Sequence, residues 1–426
     1  MFGPVDREVQ RRMGLNVVWS EDEPTSRAID ALLAKPIDLD AALRIALARN
    51  RRLQARFDDL GIAASQIADA TVLPPANVDA DYKRALSGTG SEIELTVVQD
   101  VLDLVQITQR RGIANAELRG SRARAVAATV ELAGRVEIAF YDALAAMQER
   151  ELAQTTFDAA NASADLVERQ YAAGNTSDLA LVREQEQRER SRIEIGRAEQ
   201  VLEESRASLA GLLGVPDTMT KWTLAGSLAD VPMTKPMLDD LERAASTASL
   251  DLDALRADAD AADERHHYAM VRSFLPELGV GVAVARRDGV DWEAGPALRI
   301  GIPLFDQQQG PRARALAQEH RARNEIFATT TDLVASARTT RSRVEQAFAE
   351  VRQIVDVVMP LRQRVLAETV LQYNAMNAST FELLSARRDM VDVGRQRIEA
   401  LRRYWSSLAE VKALRRGGHA MKKDAL

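Results

Sequence analysis

The stretch Tyr171–Leu181, YAAGNTSDLAL, returns later in the chain as Tyr373–Leu383, YNAMNASTFEL. Tyr, Ala, Asn, Ser and Leu recur at five of the eleven positions, at an offset of 202 residues. Leu73-Pro74 falls on Leu275-Pro276 at the same offset. The offset becomes 203 at Asp103 and Asp306 and 200 at Lys35-Pro36 and Lys235-Pro236. Small drifts of this kind are what loop insertions leave in a duplicated chain, so the sequence divides into two similar halves, 37–214 and 236–416.

Working outward, each half has one order of elements. Residues 37–72 read as helix, with Asp38 as N-cap, and Leu73-Pro74-Pro75 stops it because proline disfavours helix at the residue before it. Val78, Ala80 and Tyr82 then alternate with polar neighbours. After Ser87-Gly88-Thr89-Gly90, Ile93, Leu95 and Val97 do the same, which is the period of a β-hairpin, over 76–99. No proline follows from Val101 to Tyr171, a long helix. Ala173-Gly174-Asn175 breaks it, Thr176 or Ser177 caps the next helix, and Gly214-Val215-Pro216 ends that one. The second half repeats the order: helix 237–272, hairpin 278–303, long helix 311–372 kinked by Pro360, break at 374–377, helix 379–416. Outside the repeats the expectation is an extended segment over 1–36, a linker over 215–235 and a disordered tail over 417–426.

A helix of roughly 70 residues spans on the order of 100 Å and needs packing partners along its length, which implies a coiled coil. Ile195, Ala198, Leu202, Ser205, Leu209 and Leu212, spaced alternately three and four apart, supply a seam. A solvent-exposed coiled-coil scaffold satisfies these helical features. The strands ask for more. Four strands cannot close a barrel, and one apolar and one small or polar face suit a wall between an apolar and an aqueous phase. Several copies lending four strands each to one closed barrel would satisfy the backbone in a membrane.

Composition sets limits. Of 426 residues, 46% are hydrophobic but only 4% aromatic, and net charge is −7, so the chain is rich enough for a core and unsuited to a polyanionic, nucleic-acid partner. Cysteine is absent and histidine numbers four, which removes disulfides and thiolate chemistry. No apolar run reaches the length of a membrane-spanning helix. No phosphate loop, zinc-protease or nucleophile-elbow motif occurs, and Gly279-Val280-Gly281 lies within a strand pattern. The adjacent His266 and His267 point apart on a helix and are expected at the surface. Neither a cofactor nor a metal site is expected, and no enzyme activity. Met1–Glu8 lacks the pattern of a secretory signal, which by itself reads as cytoplasmic.

These residues resemble the TolC-type outer-membrane efflux channels. Ile37-Asp38-Leu39-Asp40-Ala41-Ala42-Leu43, with Ala46-Leu47-Ala48-Arg49-Asn50, is similar to the opening helix of that family. Leu73-Pro74 and Leu275-Pro276 resemble the starts of its strands, Ile302-Pro303-Leu304-Phe305-Asp306 its passage from strand to long helix, Tyr171-Ala172-Ala173-Gly174 its helical tip, and Leu209–Gly214 its closing motif. Pro360 and the stretch Arg11-Arg12-Met13-Gly14-Leu15-Asn16 with Trp19 are more similar to the CzcC/CusC-like heavy-metal branch.

The resemblance implies a mainly α protein with a small β part: a coiled-coil helical barrel plus four strands per chain, contributed to a twelve-stranded barrel by a homotrimer. It implies the outer-membrane channel of a tripartite (RND-type) efflux or type I secretion system, partnered by a periplasmic adaptor, an inner-membrane pump and outer-membrane lipid. The signal peptide would then have been removed or missed at the start codon. The adaptor would dock on the tips, Ala173, Gly174, Asn175 and Ser177 with Ala375, Met376, Asn377 and Ser379. Met376 stands where the first tip has glycine, so a different turn is expected there. Asp178 and Glu382 are the candidate pore-constriction residues, Glu382 in three copies forming an anionic ring.

Overall fold

The computed structural model describes residues 2–19, 22–84, 86–87, 90–215, 222–274, 277–287, 290–301 and 309–419. The expected motifs Leu275-Pro276 and Ile302–Asp306, and part of the turn at Ser87–Gly90, lie outside them. In chain order the elements are α1 (Gly3–Met13), α2 (Glu23–Leu33), α3 (Leu39–Arg49), α4 (Arg51–Thr71), β1 (Asn77–Arg84), β2 (Ser91–Asp100), α5 (Leu102–Val105), α6 (Ile107–Ala172), α7 (Asp178–Leu213), α8 (Leu241–Ala248), α9 (Leu250–Phe274), β3 (Leu278–Arg287), β4 (Glu293–Ile300), α10 (Gln309–Gln353), α11 (Met359–Asn374) and α12 (Thr380–Arg415).

The chain forms two compact units, and neither coincides with a repeat. One comprises 1–5, 56–126 and 250–331; the other comprises 6–55, 127–249 and 332–426. Each therefore joins equivalent parts of both halves.

The first unit holds the sheet. All four strands are antiparallel in the order β1-β2-β3-β4. The central pairing, Val97↔Val282, joins the hairpin of one repeat to that of the other. Gly281 makes this approach possible: a Cβ there would sit 1.9 Å from the Val97 carbonyl oxygen. Beside the sheet, α9 meets α6 closely where α6 carries glycine: a Cβ at Gly120 would meet Ala257 and Asp258, and one at Gly112 would meet Glu264. Arg119–Asp260 at 2.7 Å and Arg124–Asp258 at 2.8 Å flank them. His266, expected at the surface, is half-buried with Nδ1 3.1 Å from Glu319.

The second unit is helical. Tyr404, Leu209, Leu213, Leu401 and Leu414 are fully buried. The Glu137 carboxylate, 2% exposed, takes Lys412 at 3.0 Å and Arg416 at 2.9 Å, tying the end of α12 to α6. Burial, then the nearby Glu137 charge, pushes the Tyr141 hydroxyl up to about 12.

Several expectations need correction. The segment 1–36 contains α1 and α2 and is not simply extended: Val5, Val9 and Ile29 are buried, and Asp22 caps α2, accepting from the Thr25 N–H at 2.9 Å. The helix over 37–72 breaks at Asn50, whose side chain accepts from Leu53 N–H at 3.0 Å and donates to the Leu212 carbonyl at 2.9 Å. The helix over 237–272 breaks at the equivalent Ser249, which has extended backbone (ψ 117°). The expected tail begins with buried residues, since Gly417 and Gly418 pack into the second unit. Pro360 sits just inside α11, after a π-turn over Ile354–Val358. The wider turn is a known way to accommodate the hydrogen bond a proline cannot make.

Because the Gly281 backbone touches Val97, Gly281→Val is expected to separate β2 from β3. Circular dichroism of the full chain should show loss of strand signal, and stability should fall by about 3 kcal/mol or more. Retention of both would refute this account of the pairing.

Candidate functional site

Two features of the structure are available for function: the sheet and the helix-to-helix tips. The sheet is two-faced, and its register shows how. One face carries the rows Val78, Val97, Val282, Pro296 and Ala80, Leu95, Val284, Ala294, with Tyr82 beside Ile93 and Val280 beside Leu298. These side chains are not covered: Val78, Tyr82, Val282 and Leu298 are between 53% and 67% exposed. The other face carries Asp79, Asp81, Glu92, Glu94 and Glu293 with Lys83, Arg287 and Arg299. Lys83 pairs with Glu94 at 3.3 Å, Arg287 with Glu92 at 3.2 Å, and Arg299 with Asp79. Trp292, over which Arg286 lies at 5.8 Å, ends the apolar face with Tyr82 in an aromatic margin. Strand alternation thus separates greasy from charged at a period of two. An exposed apolar face of this extent needs a nonaqueous partner. Neither β1 nor β4 has a strand on its outer side among the described residues.

The tips join α6 to α7 and α11 to α12. At the first, Gly174 has φ +73°, its N–H donates to the Tyr171 carbonyl at 2.9 Å, and Asn175 N–H donates to the Gln170 carbonyl at 2.8 Å. At the second, Met376 has φ +61°, with Met376 N–H to Tyr373 O at 3.0 Å and Asn377 N–H to Gln372 O at 2.9 Å. The two turns are therefore the same, contrary to the expectation that Met376 would change its geometry. Hydrogen bonding of the helix end holds a side-chain-bearing residue in the left-handed region at a local cost of about 1 kcal/mol. Ala173, Gly174, Asn175 and Ser177 are exposed, as are Ala375, Met376, Asn377 and Ser379.

Both following helices are capped by the serine of the repeated motif. Ser177 Oγ accepts from Ala180 N–H at 3.3 Å, and Ser379 Oγ from Glu382 N–H at 3.3 Å. Glu382 completes a capping box, accepting from Ser379 N–H at 2.7 Å. That backbone hydrogen bond, with the Ser379 hydroxyl, holds the Glu382 carboxyl below its ordinary range. Its contribution to stability is present above the usual carboxylate pKa and is lost as pH falls through the lowered value. Asp178 lies in the first turn of α7, so the structure places both constriction candidates at helix starts beside the tips.

Residues 42–215 match the family described as outer membrane efflux protein. Through that stretch the chain is similar to the outer membrane efflux proteins. Cobalt-zinc-cadmium resistance protein CzcC of Cupriavidus metallidurans is 22% identical over 368 residues, 84% of each chain. The fold of the whole chain is that of solved channels. The Campylobacter jejuni CmeC outer membrane channel matches with TM-score 0.71 at 13% identity, covering 98% of this chain and 93% of that one. CusC matches with TM-score 0.61 at 15% identity, covering 94% of each. No helix among the described residues is long and apolar enough to cross a membrane.

The tip geometry sets a paired expectation. Met376→Gly should raise stability by roughly 0.5–1 kcal/mol, and Gly174→Ala should lower it by about 1 kcal/mol. Thermal unfolding of the two variants beside the parent checks the signs, and a destabilised Met376→Gly would contradict the shared turn.

Proposed function

We propose that three copies of this chain close a twelve-stranded barrel in the outer membrane and continue it as a helical duct in the periplasm. The duct is passive: it carries cargo driven by an inner-membrane pump and handed on through a periplasmic adaptor. The observation that carries this reading is the two-faced sheet with two open edges. Three sheets of four strands, joined β4 to β1, would leave every strand paired, apolar residues toward lipid and the Asp79–Glu94 face toward water. A soluble coiled-coil scaffold would account for the helices but would leave Val78, Tyr82, Val282 and Leu298 in water without purpose.

The adaptor is proposed to dock on the two tips, where Ala173, Gly174 and Asn175, with Ala375 and Asn377, leave backbone exposed between helices. The likeness to CzcC, named for cobalt-zinc-cadmium resistance, favours a heavy-metal export assembly over a drug or protein exporter. Asp178 and Glu382 are assigned to the narrow part of the duct, where three copies would favour cations.

The barrel reading separates neighbouring residues on one strand. Leu95→Arg puts a charge on the lipid side, costing about 2–4 kcal/mol per copy at mid-membrane, while Thr96→Arg points the same group to water. Membrane fractionation and detergent sizing should show a membrane-bound trimer for the parent and for Thr96→Arg, with Leu95→Arg depleted. Equal behaviour of the two variants, or a soluble parent, would defeat the proposal.

For the constriction, Glu382→Gln keeps an amide able to reach the Ser379 N–H but removes the charge. Planar-bilayer conductance should show a reduced preference for cations over anions. An unchanged preference would remove Glu382 from the ring.

A further inference from the structure

Within the second unit lies a cavity of about 710 Å³ formed by α6, α7, α11 and α12. Its walls are largely apolar, with Leu152, Ala160, Leu366, Leu384 and Val391 among them. A volume of this order is that of a small-molecule site. Into this space α7 brings Glu184 and Ser191, which are only 5% and 4% exposed. The Glu184 Oε2 is buried and has no hydrogen-bond partner. A buried carboxylate oxygen left unsatisfied is costly, and the cost is relieved by a donor.

The duplication shows that packing does not require these polar groups. α7 and α12 are both 36-residue helices offset by the repeat distance. The places equivalent to Glu184 and Ser191 are Ala386 and Val393, both buried and apolar. An alanine and a valine therefore suit the same positions of the fold, and the first repeat departs from them where the cavity opens.

The geometry points to this cavity as a binding site for an amphipathic organic ammonium ion, its N–H donors on Glu184 and its apolar body against the aliphatic walls. Of the five arginines of the lining, Arg387 is exposed and the other four are turned to other partners. Arg388 donates to Gln187 Oε1 at 2.7 Å, Arg190 pairs with Glu186 at 2.7 Å, and Arg197 and Arg395 both pair with Glu194, at 2.9 and 3.3 Å. Of the lining carboxylates Glu194 is paired and Asp392 is exposed, so Glu184 is the buried acidic group left for the ligand. Ser191 Oγ donates to the Gln187 carbonyl at 2.9 Å and accepts from Gln187 Nε2 at 3.5 Å, which leaves one lone pair for a second N–H. The site is distinct from the tips and from the barrel wall, and its occupancy does not depend on the channel reading.

Fluorescence titration of the full chain in nonionic detergent with dansylcadaverine, a primary ammonium probe, tests it against empty micelles. Saturable binding is expected, weakened at least tenfold by the isosteric Glu184→Gln and by Ala160→Leu, which occupies the cavity. Glu203→Gln, an exposed change on the same helix away from the cavity, should bind as the parent does, and circular dichroism should be unaltered in Glu184→Gln. Binding no greater than to micelles, equal affinity in Glu184→Gln, or tighter binding of the anionic dansylglycine than of the amine would each overturn the assignment.

Discussion

A β-sheet with open edges cannot rest in hydrocarbon, because each unpaired N–H and C=O there lacks the water that would satisfy it. The rest of this structure answers to that constraint. β1 and β4 both end the sheet on a free side, while the Val78–Val282 face has the character of a lipid contact. Lengthening the sheet within one chain would require more repeats; closing it requires more chains. The duplication solves the first half of the problem by bringing β2 and β3 into register across 185 residues of sequence, as at Val97↔Val282. Gly281 is the local condition for that pairing, since any side chain there would displace the Val97 carbonyl.

How much of this was readable beforehand depended on whether the signal was periodic or tertiary. The strand alternation at Val78, Ala80, Tyr82 and Ile93, Leu95, Val97 is a period of two and appears directly in the structure. The serine caps at Ser177 and Ser379 were legible for a similar reason, because a hydroxyl before an apolar helix has a local partner. Asn50 was legible in principle: an asparagine within a helical pattern can itself begin a new helix, as its bond to Leu53 N–H shows. The sequence nevertheless reads as one helix there, because Ala46, Leu47 and Leu53 keep the apolar pattern across it.

Other features had no local signature. α1 is fixed by burial of Val5 and Val9 and has only a sparse apolar pattern, whereas α2 does carry a local cue, Asp22 as N-cap ahead of a proline in the first turn. The strand at Gly279 and Gly281 is legible from the alternating valines, but the reason for glycine there is not, since glycine weakens a strand unless a close neighbour demands it. That neighbour, Val98 or Val97, comes from the other half of the chain. The left-handed turn at Met376 runs against residue preference altogether. The hydrogen bonds from Met376 and Asn377 N–H impose it, and the expectation of a different turn fails because it follows the residue where the repeat keeps the shape.

The two halves supply an internal comparison that a single copy would lack. Where equivalent residues keep their type, as Ser177 and Ser379 do at the caps, the fold explains both. Where they diverge while the backbone stays the same, the fold alone explains neither choice. Gly174 against Met376 is one such place, for the turns are alike and the second carries an exposed side chain at a conformational cost. Glu184 against Ala386 is another, for both are buried on corresponding helices and only one brings a charge that must find a partner. A duplicated chain whose halves served identical neighbours would be under no pressure to accept either cost. Each divergence therefore marks a position where one repeat meets something the other does not.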